Sequence, residues 1–355
     1  MQDDLGIMQE HLSLIKKQSK CSNNALICYS YNNGEDAEGY YQPSSMNIGD
    51  YIQSLAARQF FPNIDTYIDR DMISDYQGVP VNMIMNAWYR LWERNKRFSD
   101  KVRPLFVAFH LNNPEDITVE TLNYLKTVEP IGCRDLQTRD FLKKSNIKAY
   151  FSGCMTLTLG NTYRKNDSDR EKIVYLVDCD KKYCRNAKVR SYIKNILKMY
   201  PDCKIVKRCH MYPKGKDALY GLSEAEALVK EYAKATLVIT SRIHCALPCL
   251  SLNTPVVLLS PKFDEKRFLG LFSFFNFVGV DDKNNFHIDI EKDENGFIKN
   301  KQNHVKYKDF LTTICREFAP EVSSSFKGIN QNYFSEYQKN KNQKNIWCKI
   351  LFWLK

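Results

Sequence analysis

Along this chain, short apolar runs alternate with longer stretches of helical periodicity, and that alternation limits the fold more than any other feature. Runs at 25–30, 81–87, 105–109, 128–131 and 149–152 read as strands, with helices at 48–60 and 136–144. A polar stretch at 161–171 interrupts the pattern. It then restarts with strands at 173–177, 204–207, 236–239 and 255–259 and helices at 187–199, 223–233 and 244–252. Strands separated by helices build parallel sheets wrapped by helices, so the expected class is α/β. Two such blocks predict two Rossmann-like domains facing one another, residues 25–165 and 166–335, with an N-terminal extension at 1–24 and a basic tail at 336–355. Ser223 followed by Glu226 has the form of a capping box, which predicts a helix starting there with Ala225, Leu228, Val229 and Tyr232 on its buried face.

A length of 355 residues exceeds the usual single compact domain, and 43% hydrophobic residues suffice for a sizeable core. No run reaches the ~18 apolar residues that would indicate a membrane-spanning helix. The first twenty residues begin acidic and lack a continuous apolar stretch, so no secretory signal is expected and the protein is placed in the cytoplasm. In that compartment the 12 cysteines are expected as thiols, and Cys28, Cys245 and Cys249 sit in apolar segments where thiols pack as small hydrophobes. Cys179 with Cys184, and Cys203 with Cys209 and His210, lack the tight spacings of zinc sites, so no metal is expected. A net charge of +11 attracts anions. With no nucleic-acid module and no basic stripe carrying interleaved aromatics, the remaining anionic partners are small phosphorylated substrates and a membrane surface.

The chemistry concentrates in Thr236–Val257, where a buried strand ends at Thr240-Ser241-Arg242 and an apolar helix follows directly. Ligands of open α/β sheets bind beyond the carboxyl ends of strands, and hydroxyls and N–H groups at a helix start hold anions. Arg242 adds a planar fork suited to carboxylate or phosphate, and His244 exchanges protons near neutral pH. The same residues also fit a capping hydroxyl, a surface arginine and a satisfied histidine.

This stretch resembles the signature of the polysaccharide pyruvyl transferase family, in which Ser-Arg-(Leu/Ile)-His opens a small-residue helix that ends before a Pro-Val-Val strand. Further segments fit the same family in order: Asn47-Ile48-Gly49-Asp50, Pro130-Ile131-Gly132-Cys133-Arg134-Asp135, Ser152-Gly153-Cys154-Met155-Thr156 and Arg267-Phe268-Leu269-Gly270-Leu271. The resemblance covers roughly residues 25–280. It implies a GT-B-like fold and transfer of pyruvate from phosphoenolpyruvate onto two hydroxyls of a sugar, with no cofactor or metal. His244 would be the general acid, and Arg242 would hold the donor's carboxylate or phosphate. Arg134 would project into the cleft, unless it pairs locally with Asp135. Asn47, Gly49 and Asp50 would bind the sugar or complete the acid–base set, with helix capping by Asn47 the plainer alternative. Ser241 would contribute its hydroxyl, and Lys207 with Arg208 further positive charge. Cys154 reads as a turn residue.

About sixteen residues, 31–46, separate the first strand from the Asn-x-Gly-Asp turn, a departure that bears on the acceptor. Two other functions compete. One is a glycosyltransferase of similar architecture using a nucleotide sugar, although Glu224, Glu226 and Glu231 lack the paired spacing common in retaining enzymes of that kind. The other is a non-catalytic relative that binds glycan. The C-terminal residues Ile346, Trp347, Ile350, Leu351 and Leu354 share one helical face among lysines. Such a face either lies peripherally on an anionic membrane at its inner surface or packs back on the first domain.

Overall fold

The computed structural model describes residues 2–29, 45–89, 97–114, 117–179, 186–213, 217–260, 268–281, 283 and 285–319. Most of the insertion before Asn47, Arg267, Cys184 and the whole basic tail lie outside the described residues.

Strands covered by helices on both faces become continuous apolar runs. Asn23–Cys28 and Val81–Ile84 are of this type, buried along almost their whole length. They form the centre of a parallel sheet whose spatial order is Thr66–Asp69, Asn23–Cys28, Val81–Ile84, Val102–Leu105. A parallel pair, Ile131–Cys133 with Ala149–Phe151, adjoins it. Gly132 N donates to Phe106 O at 2.9 Å, and Phe109 N donates to Gly132 O at 3.0 Å. The expected strand at 128–131 is therefore displaced by three residues. Pro130 has no N–H to offer a ladder, and pairing starts only after it.

The second sheet runs in the order Lys204–Arg208, Glu171–Val177, Ala235–Thr240, Val256–Ser260, Asn276–Val280, Phe286–Asp289, parallel except for the last strand. Both sheets reverse direction at the same place, with the first strand of each lying between the second and the third. Such a reversal opens a crevice at the carboxyl ends of the flanking strands. The mixed α/β class expected from the sequence is what forms.

The two sheets share one hydrophobic core. The Ile48–Arg58 helix of the first half contributes Tyr51 and Leu55, and the Ala218–Lys234 and Ile243–Ser251 helices of the second contribute Leu222, Val229 and Leu247. The approach is close enough to require glycine: a Cβ on Gly221 would lie 2.4 Å from the Tyr51 ring. A second cluster, with Val174, Leu237 and Val257 on the sheet and Val189 and Ile193 on the Ala187–Lys198 helix, covers the other face.

The Ala218–Lys234 helix begins five residues before the expected Ser223. Asp217 is its cap, accepting from Tyr220 N at 2.7 Å, while Ser223 and Glu226 are buried inside the helix. The N-terminal residues form a helix, Gln2–Lys17, that buries Met8, His11 and Ile15. Its Asp4 pairs with Arg139 at 2.9 Å and Lys143 at 2.7 Å. The last described helix, Val305–Phe318, crosses back from the second half to pack on Gln2–Lys17 and on the turn Met155–Thr158. None of the described helices is long and apolar enough to cross a membrane.

Candidate active site

At the reversal of the second sheet, the strand Glu171–Val177 ends at Asp178 and the strand Ala235–Thr240 ends at Ser241-Arg242. These two ends are locked together. Ser241 N donates to Val177 O at 3.3 Å, Ser241 Oγ donates to Asp178 O at 2.8 Å, and Arg242 Nε donates to Asp178 Oδ2 at 2.7 Å. Burial alone would raise the Asp178 carboxyl, but the Arg242 guanidinium and the His210 side chain and amide hold it below the usual carboxylate value. Arg242 keeps about a third of its side chain exposed (33%), so it is oriented from behind while still reaching the pocket. Arg242 occupies the cap position of the Ile243–Ser251 helix with no side-chain cap, and His244 lies in the first turn, buried.

The first half reaches the same place through a short antiparallel bridge between Met46–Asn47 and Met211–Tyr212. Ile48 N donates to His210 O at 2.8 Å, which sets the start of the Ile48–Arg58 helix against the second half. Asn47 caps that helix, its Oδ1 accepting from Gly49 N at 3.1 Å. A Cβ on Gly49 would lie 3.3 Å from His244 Cβ and 3.5 Å from His210 Nδ1, so glycine permits the two halves to meet here. His210 is fully buried, with Nε2 at 2.9 Å from Tyr232 Oη. Asp50 is also buried, one residue beyond the glycine, and bonds Gln53 Nε2 at 3.4 Å.

A third wall comes from the chain beyond the carboxyl ends of Val81–Ile84 and Val102–Leu105 in the first sheet. Trp88 and His110 are register partners in the parallel pairing of Trp88–Tyr89 with His110–Leu111. The Arg70 guanidinium stacks 3.6 Å from the centre of the Trp88 ring. His110 Nδ1 lies 2.5 Å from Asp135 Oδ2, and Asp135 Oδ1 caps the Leu136–Lys144 helix by accepting from Thr138 N at 2.9 Å. Asp135 thus turns its carboxylate oxygens to His110 and the helix start, where a local pair with Arg134 was one of the two alternatives read from the sequence. Burial would raise the Asp135 carboxyl, and the His110 bond followed by the Arg134 charge outweighs it and lowers the value. Arg134, buried, joins the pocket from the end of Ile131–Cys133.

These walls enclose a pocket of about 310 Å³ into which Asn47, Gly49, Asp50, Arg134, Ser241, Arg242 and His244 all face. Of the candidate residues, Lys207 and Arg208 stay outside. Lys207 lies exposed on the edge strand Lys204–Arg208, and Arg208 beside it pairs with Glu231 at 2.7 Å.

The model of the polysaccharide pyruvyl transferase family matches residues 47–262, more than half of the chain and all but one of the pocket residues. The chain belongs to that family. Within the polysaccharide pyruvyl transferases' matched segment fall the reversal of the second sheet and the Ser241-Arg242-Ile243-His244 turn, while the first strand of the first sheet, Asn23–Cys28, precedes it. A comparison with curated proteins finds no match. Among solved structures, that of a functionally uncharacterised protein from Klebsiella pneumoniae subsp. pneumoniae is similar at 13% identity, with a TM-score of 0.39, over 74% of this chain and 93% of that one.

Trp88, His110 and Asp178 were not singled out from the sequence, and His210 only as a metal ligand. One signal would have found the first three. Each is the residue immediately after a run read as a strand, at 81–87, 105–109 and 173–177, which is where an α/β sheet presents its ligand groups.

Proposed function

We propose that the protein transfers the pyruvyl unit of phosphoenolpyruvate to two hydroxyls of a sugar, on a cell-surface glycan or its lipid-linked precursor, forming a cyclic ketal and releasing phosphate. The observation that carries this reading is the convergence of Arg134, Arg242, His244 and the N-terminus of the Ile243–Ser251 helix on one small pocket. The donor carries a carboxylate and a phosphate. Two guanidiniums and a helix start are a donor set matched to two anionic groups. His244 supplies the proton for the methylene carbon, which makes the adjacent carbon electrophilic. A sugar hydroxyl adds there, and a second hydroxyl displaces phosphate and closes the ring.

In this reading Arg242 and the helix start of the second half, joined by Arg134 from the first, hold the donor, and the rest of the first half faces the acceptor, in a GT-B-like arrangement. Trp88 offers an apolar face to a sugar ring, and Asn47 and Asp50 offer polar partners to its hydroxyls. The reaction takes place in the cytoplasm, with the basic tail contacting the inner face of the membrane. A nucleotide-sugar glycosyltransferase fits less well. Among the described residues no glutamate lines the pocket, and Glu226 is turned to Tyr163 Oη at 3.1 Å.

The test is phosphate release from phosphoenolpyruvate with a panel of glycan acceptors, on the wild type and on His244→Ala. Acceptor-dependent release that disappears in the variant supports both the reaction and the acid. Release that persists moves the acid to another residue, with Asp50 the next candidate. No release with any acceptor, together with thermal stabilisation by a nucleotide sugar, refutes pyruvyl transfer.

A further inference from the structure

Forming a ketal moves more protons than one histidine accounts for. In the first step a bond forms between a sugar oxygen and the central carbon of the donor, while the methylene carbon gains a proton and the hydroxyl loses one. In the second step the other hydroxyl gives its proton to the departing phosphate, its oxygen bonds the same carbon, and the carbon–oxygen bond to phosphate breaks, with phosphate carrying the electron pair away. His244 as acid serves the methylene. A separate group must take the hydroxyl proton.

We propose that His110, oriented by Asp135, is the base that removes the proton from the attacking acceptor hydroxyl; the proposal rests on the pyruvyl-transfer reading. His110 lines the pocket next to Trp88, its register partner, on the wall of the first half. Asp135 is fully buried and acts from behind: one carboxylate oxygen caps the Leu136–Lys144 helix through Thr138 N, and the other faces His110 Nδ1 at 2.5 Å. A carboxylate accepts and does not donate, so Nδ1 of the neutral ring bears the hydrogen and Nε2 is the basic nitrogen. This fixes tautomer and ring orientation together, as a carboxylate does for a histidine base in hydrolases. Thr138 Oγ1, at 3.4 Å from Nδ1, closes the same side. The proton taken at Nε2 leaves an imidazolium next to the Asp135 carboxylate, which stabilises it.

Asparagine at position 110 offers an N–H toward Asp135 but no basic nitrogen, so His110→Asn keeps the link and removes the base. His110→Ala opens space for added imidazole. Asp135→Asn retains the helix cap, since asparagine caps as well as aspartate. With phosphate release as the assay, the expected result is a fall in kcat of about 10²–10⁴-fold in both His110 variants, with KM for phosphoenolpyruvate little changed. Imidazole should restore part of the His110→Ala rate, and Asp135→Asn should lose kcat while its melting temperature holds. An active wild type with an equally active His110→Asn, or a loss confined to KM, overturns the base assignment alone. A wild type that releases no phosphate with any acceptor removes the pyruvyl-transfer reading and this role with it. If His110→Ala does not fold, His110→Asn carries the test.

Discussion

Gly49 offers a direct test of whether the two halves are held at working distance. Gly49→Ala adds one methyl group in the first turn of the Ile48–Arg58 helix, where the added Cβ would lie 3.1 Å from Asn47 Oδ1, 3.3 Å from His244 Cβ and 3.5 Å from His210 Nδ1. The first two distances are tight, so the neighbours must give by a few tenths of an ångström. Helix propensity favours alanine over glycine by roughly 1 kcal/mol, and weakening the Asn47 cap costs about the same. Stability should therefore change by no more than about 1 kcal/mol, or about 2–4 °C in Tm. Activity should respond more. His244 Cβ is fixed to a helix backbone and moves only with it, and a misplacement of ~1 Å costs on the order of 10²-fold, so a few tenths corresponds to a loss of about 5–10-fold in kcat. Phosphate release measured alongside a thermal melt separates the two effects. An unchanged kcat would show that the contact does not set the position of His244. A melting point lowered by much more than the few degrees expected would show that the clash spreads into the shared core.

Other expectations follow from the same contacts. Asp178→Asn removes the charge behind Arg242 while leaving an acceptor, and should raise KM for phosphoenolpyruvate with melting behaviour close to wild type; an unchanged KM would mean that Arg242 does not contact the donor. Lys207→Ala should leave kcat and KM within experimental error, because Lys207 is exposed on an edge strand outside the pocket, and a clear loss of activity would return it to the site. For Asp4, burial alone would raise the carboxyl, but Lys143, the Phe151 amide and Arg139 outweigh it and hold it below the usual carboxylate value. With the folded value below the unfolded one, the carboxylate's contribution is complete above the unfolded value and is lost as pH falls through the folded value. Asp4→Asn should therefore cost about 1–3 kcal/mol near neutral pH, shrinking in acid melts below about pH 4, and a cost that stays constant with pH would refute the ionic reading.

Much of the fold was legible because strands buried on both faces leave continuous apolar runs, as at 25–30 and 173–177. Where the local pattern misled, another force set the boundary. Ser223 and Glu226 have the spacing of a helix start, yet the chain is already helical there because Asp217 supplies the cap and the helix is packed between the two halves. The N-terminal helix was hidden by its polar opening, although Met8, Leu12 and Ile15 recur at helical spacing and mark its buried face. In the pocket, Arg242 and His244 stood out because a basic residue and a histidine at a strand-to-helix turn are chemically distinctive. His110 did not, since its place after an apolar run marks a strand end without marking chemistry, and its role shows only when Asp135, twenty-five residues away, is brought to its ring.

The shared reversal of the two sheets explains why both halves are needed for one small site. Each sheet by itself opens a crevice beyond its first and third strands. The first half brings Trp88 and, through the adjoining strands, His110 and Arg134; the second brings Arg242 and His244. The bridge of Met46–Asn47 with Met211–Tyr212 and the contact of Gly221 with Tyr51 press these crevices together. A hinge between independent cores would let the distance between His110 and His244 vary. A continuous core does not, because close-packed interiors transmit displacement instead of absorbing it. Under the proposed reaction, two histidines held on opposite halves by one core would be preorganised as its acid and its base, which is the condition for protonating one carbon and deprotonating a hydroxyl in the same step.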